Sequence, residues 1–251
     1  MLQNVNYAPY SYSKIEVYNK CPKAFEYQYI QKLPRNKKPQ LHFDKGTFIH
    51  LLMEHNGNLD VIKNTKEFNE IKEHGILTKE HFKEYFKTYK KFTETGIGKQ
   101  ILKRKEIYKE LPIGITFDYK KTLYKDPKAL LRGFIDAVYV DEEKDVLLLV
   151  DWKTGRYVPK EKQSWLQLMI YSISLFDIVP FDTILIMYAY IEDNKINTKV
   201  LHRKDIPKYQ KALETSIQKI EETEVFEKNE TALCPWCDFY EVCQGLDTQD
   251  L

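Results

Sequence analysis

The chain has 251 residues, of which 43% are hydrophobic and 30% charged, with a formal net charge of +2. This length and composition are sufficient for one folded domain and exclude a long disordered chain. The sequence has neither a long apolar run nor an N-terminal secretion signal, so we expect a cytoplasmic protein without a membrane span. In that reducing compartment its four cysteines are not expected to form structural disulfides.

Helical patterns dominate the first part of the chain. Ser13 with Glu16 has the spacing of a capping box, which predicts the start of a first helix. Pro22 predicts a break in that helix. Apolar residues at helical spacing predict two more helices, over 45–54 and 79–95.

The hydrophobic pattern then changes to the period of two that is typical of strands. We predict strands over 113–119, 130–140, 146–153, 183–191 and 200–201, a charged turn over 141–145, and helices over 163–176 and 205–226. This order predicts an α/β fold with a mixed sheet flanked by helices. We expect one domain over 1–251, made of an N-terminal helical part (11–105), a core (106–191) and a C-terminal helix with a cysteine tail (205–251).

Acidic residues and a lysine lie where two of these strands end. Asp151 and Lys153 are two positions apart and therefore share one face of a strand. If this strand pairs with the preceding one, Asp136 approaches Asp151. Two carboxylates suit magnesium or manganese, and a neighbouring lysine can orient or deprotonate water or offset charge on a phosphate. A hairpin with charged ends and no catalytic role shows the same pattern.

Polar residues on two predicted helices extend this pattern. His50 shares a helix face with Glu54 and is a candidate third metal ligand, although a lone histidine is also common on helix surfaces. Gln167 and Tyr171 are four residues apart on the helix that follows Lys153. They can hydrogen-bond a phosphate or position the lysine, and they also fit an ordinary amphipathic helix.

The order of these residues resembles that of a known family. Gly46…His50, Gly133…Asp136, Asp151-Trp152-Lys153 and Gln167…Tyr171 are similar to the motifs G-x-x-x-H, G-x-x-D, D-x-K and Q-x-x-x-Y of RecB-type PD-(D/E)xK nucleases. The resemblance implies a restriction-endonuclease-like core. It implies that a metal ion is bound by His50, Asp136, Asp151 and the carbonyl of Trp152. It also implies that Lys153 is catalytic and that Gln167 and Tyr171 support the substrate.

The cysteines form a second pattern. Cys234, Cys237 and Cys243 form a C-x2-C-x5-C trio, and Cys21 stands far upstream. Four thiolates can hold zinc or a [4Fe–4S] cluster, but zinc ribbons usually show two close pairs. The arrangement is similar to that of iron–sulfur RecB-like nucleases, which include nucleases of CRISPR adaptation and the nuclease domain of AddB. This resemblance implies a structural [4Fe–4S] cluster that joins the N- and C-terminal segments.

The resulting expectation is a magnesium- or manganese-dependent DNA nuclease, acting as an exonuclease on single-stranded ends. The segment 79–109 carries ten basic residues against four acidic ones, which fits either phosphate contacts or a solvated helix face. The chain lacks a G-x-x-x-x-G-K-[ST] phosphate loop, so no helicase activity is implied. A helicase or a recombination or adaptation protein is a possible partner. The alternatives are a structure-specific endonuclease and a non-catalytic nucleic-acid-binding module with a zinc or iron–sulfur centre.

Overall fold

The fold is built on one mixed β-sheet with helices on both faces. The computed structural model describes residues 5–35, 40–141 and 146–246. Six strands lie in the order β2-β1-β3-β4-β5-β6. Their bounds are β1 Lys105–Ile115, β2 Lys121–Thr122, β3 Leu131–Asp141, β4 Val146–Lys153, β5 Thr183–Tyr190 and β6 Lys195–His202. The expected α/β fold with a mixed sheet is confirmed.

Ten α-helices are seen in the described part of the chain. Those before the sheet are α1 Tyr12–Lys20, α2 Pro22–Phe25, α3 Leu41–Glu54, α4 Leu59–Ile62, α5 Lys66–His74, α6 Lys79–Glu94 and α7 Gly96–Leu102. Those after β4 are α8 Leu166–Phe176, α9 Ile206–Glu221 and α10 Tyr240–Cys243. No helix among the described residues is both long and apolar enough to cross a membrane.

Alternation along β4 divides the apolar core between the two faces of the sheet. Leu147 and Leu149 pack in one buried cluster with residues of α1, α8 and α9. Leu148 and Val150 pack in a second cluster with residues of α3, α5 and α6. Because β4 is covered on both sides, its sequence is almost continuously apolar, as is usual for a strand with a parallel neighbour.

Strand pairing brings the predicted site residues to one end of the sheet. β3 and β4 pair antiparallel, with Ala137 opposite Val150, so Asp136 and Asp151 follow at the end of the paired segment. Of the turn predicted over 141–145, Asp141 is instead the last residue of β3, and 142–145 lie outside the described residues. β4 and β5 pair in parallel, and α8 makes the crossover that such a connection requires.

The first helix begins differently from the prediction. The side chain of Ser11, not Ser13, accepts the hydrogen bond from the backbone N–H of Lys14 and caps α1. Ser13 lies inside the helix, so the predicted capping box is wrong. The predicted break is correct, because α1 ends at Lys20 and α2 begins at Pro22, with Cys21 between them.

The first strand also differs from the prediction, because β1 begins at Lys105, eight residues before the predicted start. Its first half is polar and exposed, so the sequence there lacks the alternation by which a strand is recognised. Pairing with β3 holds this half in the sheet instead.

Candidate active site

A cleft of about 860 Å³ lies between α3 and the β1–β3 part of the sheet. Helix α3 supplies His50, β1 supplies Glu110 and β3 supplies Asp136 to its lining. Gly46 lies one turn before His50, and a Cβ at this glycine would lie 3.3 Å from the Thr154 hydroxyl. The glycine of the G-x-x-x-H motif therefore lets α3 approach the residue that follows the D-x-K motif.

Three groups in this cleft have the chemistry of a metal site. A nitrogen of His50 and carboxylate oxygens of Glu110 and Asp136 all lie within 4.8 Å of one another. The His50 Nδ1 is 3.6 Å from the Asp136 Oδ2. One imidazole and two carboxylates form a nitrogen–oxygen donor set that suits a hard divalent cation.

The charges around Glu110 also fit a cation. Burial and the neighbouring Asp136 raise the pKa of Glu110 to about 8, and Glu54, Asp151 and Glu67 contribute to the same rise. Burial and the charge of Asp151 likewise raise the pKa of Asp136. Without a cation these carboxylates repel one another, and a divalent ion would remove that repulsion.

Glu110 was not among the residues predicted from the sequence. It lies within β1 with a φ of +43°, a backbone conformation that costs free energy for any residue other than glycine. Its neighbours Lys109 and Leu111 pair with Ala137 and Ile135, so Glu110 lies at the level of Asp136. The available signal was a glutamate near Pro112 at the start of an apolar strand, and this signal is too weak to identify a ligand.

A second set of polar contacts surrounds Lys153. Its Nζ lies 2.7 Å from the Asp151 Oδ2 and donates to the Gln167 Oε1 at 3.3 Å. Gln167 in turn hydrogen-bonds Tyr171. Burial alone would lower the pKa of Lys153, but the charge of Asp151 and its hydrogen bond raise the pKa above its ordinary value. The ammonium is therefore charged at neutral pH.

The two polar sets meet at Trp152. Its backbone N–H donates to the Asp136 Oδ2 at 2.8 Å, which ties the end of β4 to the carboxylate on β3. The indole is buried and packs edge-to-face on Phe92, with 6.1 Å between the ring centroids. The side chain of Trp152 thus anchors the strand end, while its backbone lies beside the site.

Gly133 makes room for Tyr171. A Cβ at this position would lie only 2.7 Å from the Tyr171 Cε1. The glycine of the G-x-x-D motif therefore allows the tyrosine of the Q-x-x-x-Y motif to pack against β3. The structure thus groups the predicted ligands His50 and Asp136 with Glu110, whereas the predicted ligand Asp151 lies with Lys153 and is not part of that group. Gln167 and Tyr171 belong to the set around Lys153, and Trp152 joins the two sets.

The cysteine segments converge from the two ends of the chain. Cys21 ends α1, and the Cys21 Sγ accepts a hydrogen bond from the backbone N–H of Asn229 at 3.4 Å. The Asn229 side chain donates back to the Lys20 carbonyl. The Cys234 Sγ accepts from the backbone N–H of Thr231 at 3.3 Å. Backbone N–H groups that point at sulfur stabilise thiolates, the form in which cysteine binds metals.

The thiols are also close enough to affect one another. Burial raises the pKa of both Cys237 and Cys243, and the charge of Cys21 raises each of them further. Among the described residues, however, the four cysteines do not form a group whose sulfurs all lie within 4.8 Å of one another. A thiolate-bound centre, whether zinc or iron–sulfur, therefore stays a prediction.

Comparison with known proteins agrees with this geometry. An ATP-dependent helicase/nuclease subunit of Clostridium botulinum (strain Kyoto / Type A2) is 36% identical over 126 residues, which cover 44% of this chain and 9% of that protein. The corresponding helicase/nuclease protein of Ruminiclostridium cellulolyticum is 33% identical over 133 residues, which cover 48% of this chain and 10% of its own. The matched segment thus corresponds to about a tenth of these curated relatives.

The solved structure of SSO0001 aligns with 93% of this chain and 86% of its own, at 11% identity and a TM-score of 0.36. The sequence matches the profile of the PD-(D/E)XK nuclease superfamily over residues 9–244. Because this match covers nearly the whole chain, the protein belongs to the PD-(D/E)XK nuclease superfamily.

Proposed function

We propose that the chain is a metal-dependent DNA nuclease and that residues 1–251 act as one nuclease domain. The observation that carries this proposal is the approach of His50, Glu110 and Asp136 within 4.8 Å in one cleft. Asp151 and the Trp152 carbonyl complete the ligand set that we assign to a magnesium or manganese ion. A divalent ion bound by these residues would supply Lewis-acid activation of the phosphate and of the attacking water.

The remaining residues act on the phosphate. Lys153 carries a positive charge beside Asp151, and we assign it to stabilise the negative charge that develops on the phosphate during hydrolysis. Gln167 accepts a hydrogen bond from the same ammonium and thereby fixes its direction. Tyr171 hydrogen-bonds Gln167 and stays protonated, because burial and the charge of Asp151 raise the pKa of its hydroxyl.

For the substrate we propose single-stranded DNA ends, hydrolysed in the exonuclease mode. The relatives, which are named as helicase/nuclease proteins, support a DNA substrate and a helicase or recombination partner. A structure-specific endonuclease is the alternative with the same site. Circular single-stranded DNA distinguishes the two, because it has no end and only an endonuclease can cut it.

The test is digestion of end-labelled linear and circular DNA with magnesium or manganese. Wild-type protein should degrade linear single strands and leave circles intact, whereas Asp136→Asn should be inactive. Asp60→Asn is the matched control, because the Asp60 side chain is 95% exposed and lies on α4, outside the cleft. Absence of metal-dependent cleavage of any DNA by folded wild-type protein would refute the proposed function.

We propose separately that the four cysteines hold a structural [4Fe–4S] cluster. The support is the convergence of Cys21 with the C-terminal trio and the N–H donors that point at two of the sulfurs. A brown protein that contains iron and labile sulfide is the expected result of anaerobic purification. A colourless protein with one zinc per chain would show that the cysteines hold zinc and not an iron–sulfur cluster.

A further inference from the structure

We propose that Phe43 and Phe134 stack on unpaired nucleobases beside the candidate metal site and thereby select single-stranded DNA. The inference rests on the proposed function and identifies the side chains that would recognise its substrate. Phe43 lies on α3 and Phe134 on β3, so one ring belongs to the helical wall of the cleft and the other to its sheet wall.

Both rings are exposed to solvent, although large apolar side chains are usually buried. Phe43 is 61% exposed and Phe134 is 45% exposed, and both line the cleft that contains His50, Glu110 and Asp136. Phe134 lies two residues before Asp136, in the part of β3 where Arg132, Phe134 and Asp136 are less buried than the residues between them. It therefore shares the face of the strand that carries the candidate ligand.

Neighbouring aromatic groups contact both rings. The His42 and Phe43 ring centroids are 4.2 Å apart, and those of Tyr124 and Phe134 are 4.7 Å apart. The guanidinium of Arg132 lies 5.9 Å from the Tyr124 ring centroid, which extends the contact along β3. A ring that is already restrained loses less entropy when a base stacks on it.

The charge of the cleft favours base contacts over phosphate contacts. Its described lining contains four carboxylates and no lysine or arginine, and the basic residues of 79–109 lie outside it. Apart from a bound cation, the lining therefore offers little attraction to the DNA backbone. Stacking of bases on aromatic rings supplies affinity that does not depend on positive charge and is available for every base.

The same contacts discriminate against a duplex. In double-stranded DNA each internal base is already stacked on its neighbours, so its faces are not available to Phe43 or Phe134. A single strand can turn its bases outward at low cost. Single-strand preference would then originate in these two rings, while the hydrolytic residues act on any phosphodiester that reaches them.

The experiment compares a single-stranded oligonucleotide with an abasic one of the same length, which keeps the phosphates and lacks the bases. Binding to the full chain is measured by fluorescence anisotropy in calcium, and cleavage is measured in manganese. Phe43→Ala and Phe134→Ala should each weaken binding of the base-bearing strand about tenfold, which corresponds to about 1.4 kcal/mol. Binding and cleavage of the abasic strand should stay unchanged.

Two further variants separate stacking from folding. Phe134→Trp keeps an aromatic face and should retain the preference for the base-bearing strand. Phe117→Ala removes a ring that is 40% exposed and lies outside the cleft lining, so it should behave as wild type.

The outcomes of the inference and of the proposed function are distinguishable. If both alanine variants bind the base-bearing strand as tightly as wild type, the inference is wrong even when the enzyme cuts DNA. Equal loss of affinity for the abasic strand would also overturn it, because the rings would then act through the backbone or the fold. If wild type cuts no DNA, the binding comparison still decides the role of the rings.

Discussion

Replacement of Glu110 by glutamine tests the carboxylate that the sequence motifs did not include. Burial and Asp136 raise the pKa of Glu110 from 4.5 to about 8 in the folded, metal-free protein. The folded state therefore holds this proton more tightly than the unfolded chain does. The sign follows from proton linkage: as the pH rises from about 4.5 to 8, wild-type protein without metal loses stability. Glutamine has no proton to lose, so the variant lacks this dependence.

The magnitude follows from the size of the pKa shift. A rise of the pKa from 4.5 to about 8 corresponds, without screening, to about 4.8 kcal/mol. Glu110 is only half-buried, and solvent screening reduces this to about 1–2 kcal/mol. In a chain of this length 1 kcal/mol shifts the melting temperature by about 2–4 °C. Glu110→Gln should therefore melt about 2–8 °C above wild type at pH 8 in EDTA, with a much smaller difference at pH 5.

A divalent ion should act in the opposite direction and stabilise wild type more than Glu110→Gln. An ion that binds only the folded state stabilises it in proportion to the logarithm of its concentration over its dissociation constant. Removal of a group that only supports a metal ligand weakens metal affinity roughly tenfold or more. Removal of a ligand itself should weaken metal affinity by at least that factor. Manganese should therefore raise the melting temperature of wild type more than that of Glu110→Gln, and cleavage by the variant should need more metal.

The assay is thermal melting at pH 5 and pH 8, in EDTA and in manganese. Glu224→Gln is the matched control, because Glu224 is exposed in the segment after α9. If Glu110→Gln is no more stable than wild type at pH 8 in EDTA, the account of its electrostatics is wrong. An equal response of both proteins to manganese would remove Glu110 from the ligand set.

Three further substitutions test other parts of the site. Lys153→Ala should lower the single-turnover cleavage rate roughly 10²–10³-fold and leave DNA affinity nearly unchanged; a fully active variant would exclude the ammonium from the mechanism. Gly133→Ala places a Cβ 2.7 Å from Tyr171 and should cost about 1–3 kcal/mol in urea unfolding, whereas Gly155→Ala, with no atom within 4 Å, should not. Cys237→Ser should lose iron and melting temperature, and its cleavage rate should fall only with the folded fraction; a folded but inactive variant would place the cluster in the reaction.

The elements that could be predicted from sequence are those with a strong hydrophobic pattern. The strand over 146–153 was predicted with the bounds that the structure shows, because its apolar run has no competing period. The helix over 79–95 was predicted to within one residue, since its apolar residues recur at helical spacing. The start of β1 could not be predicted, because strand pairing rather than local sequence keeps Lys105 in the sheet.

The candidate site likewise contains residues that could be predicted from the sequence and residues that could not. Asp151 and Lys153 could be placed together because a strand has a fixed period, and their charged groups are 2.7 Å apart. The position of Glu110 depends on the register between β1 and β3 and on a positive φ, neither of which is visible in the sequence. The exposure of Phe43 and Phe134 likewise depends on which faces remain uncovered after the helices have packed.

The crossover between β4 and β5 has a consequence for protein synthesis. Helix α8 carries Gln167 and Tyr171 and leads into the strand that pairs in parallel with the one carrying Lys153. A parallel pair cannot form until the whole connection and the second strand are available. A nascent chain that leaves the ribosome from its N-terminus therefore exposes His50, Asp136 and Asp151 well before it can complete their surroundings. If the proposed function is right, cutting activity should appear only after β5 has emerged.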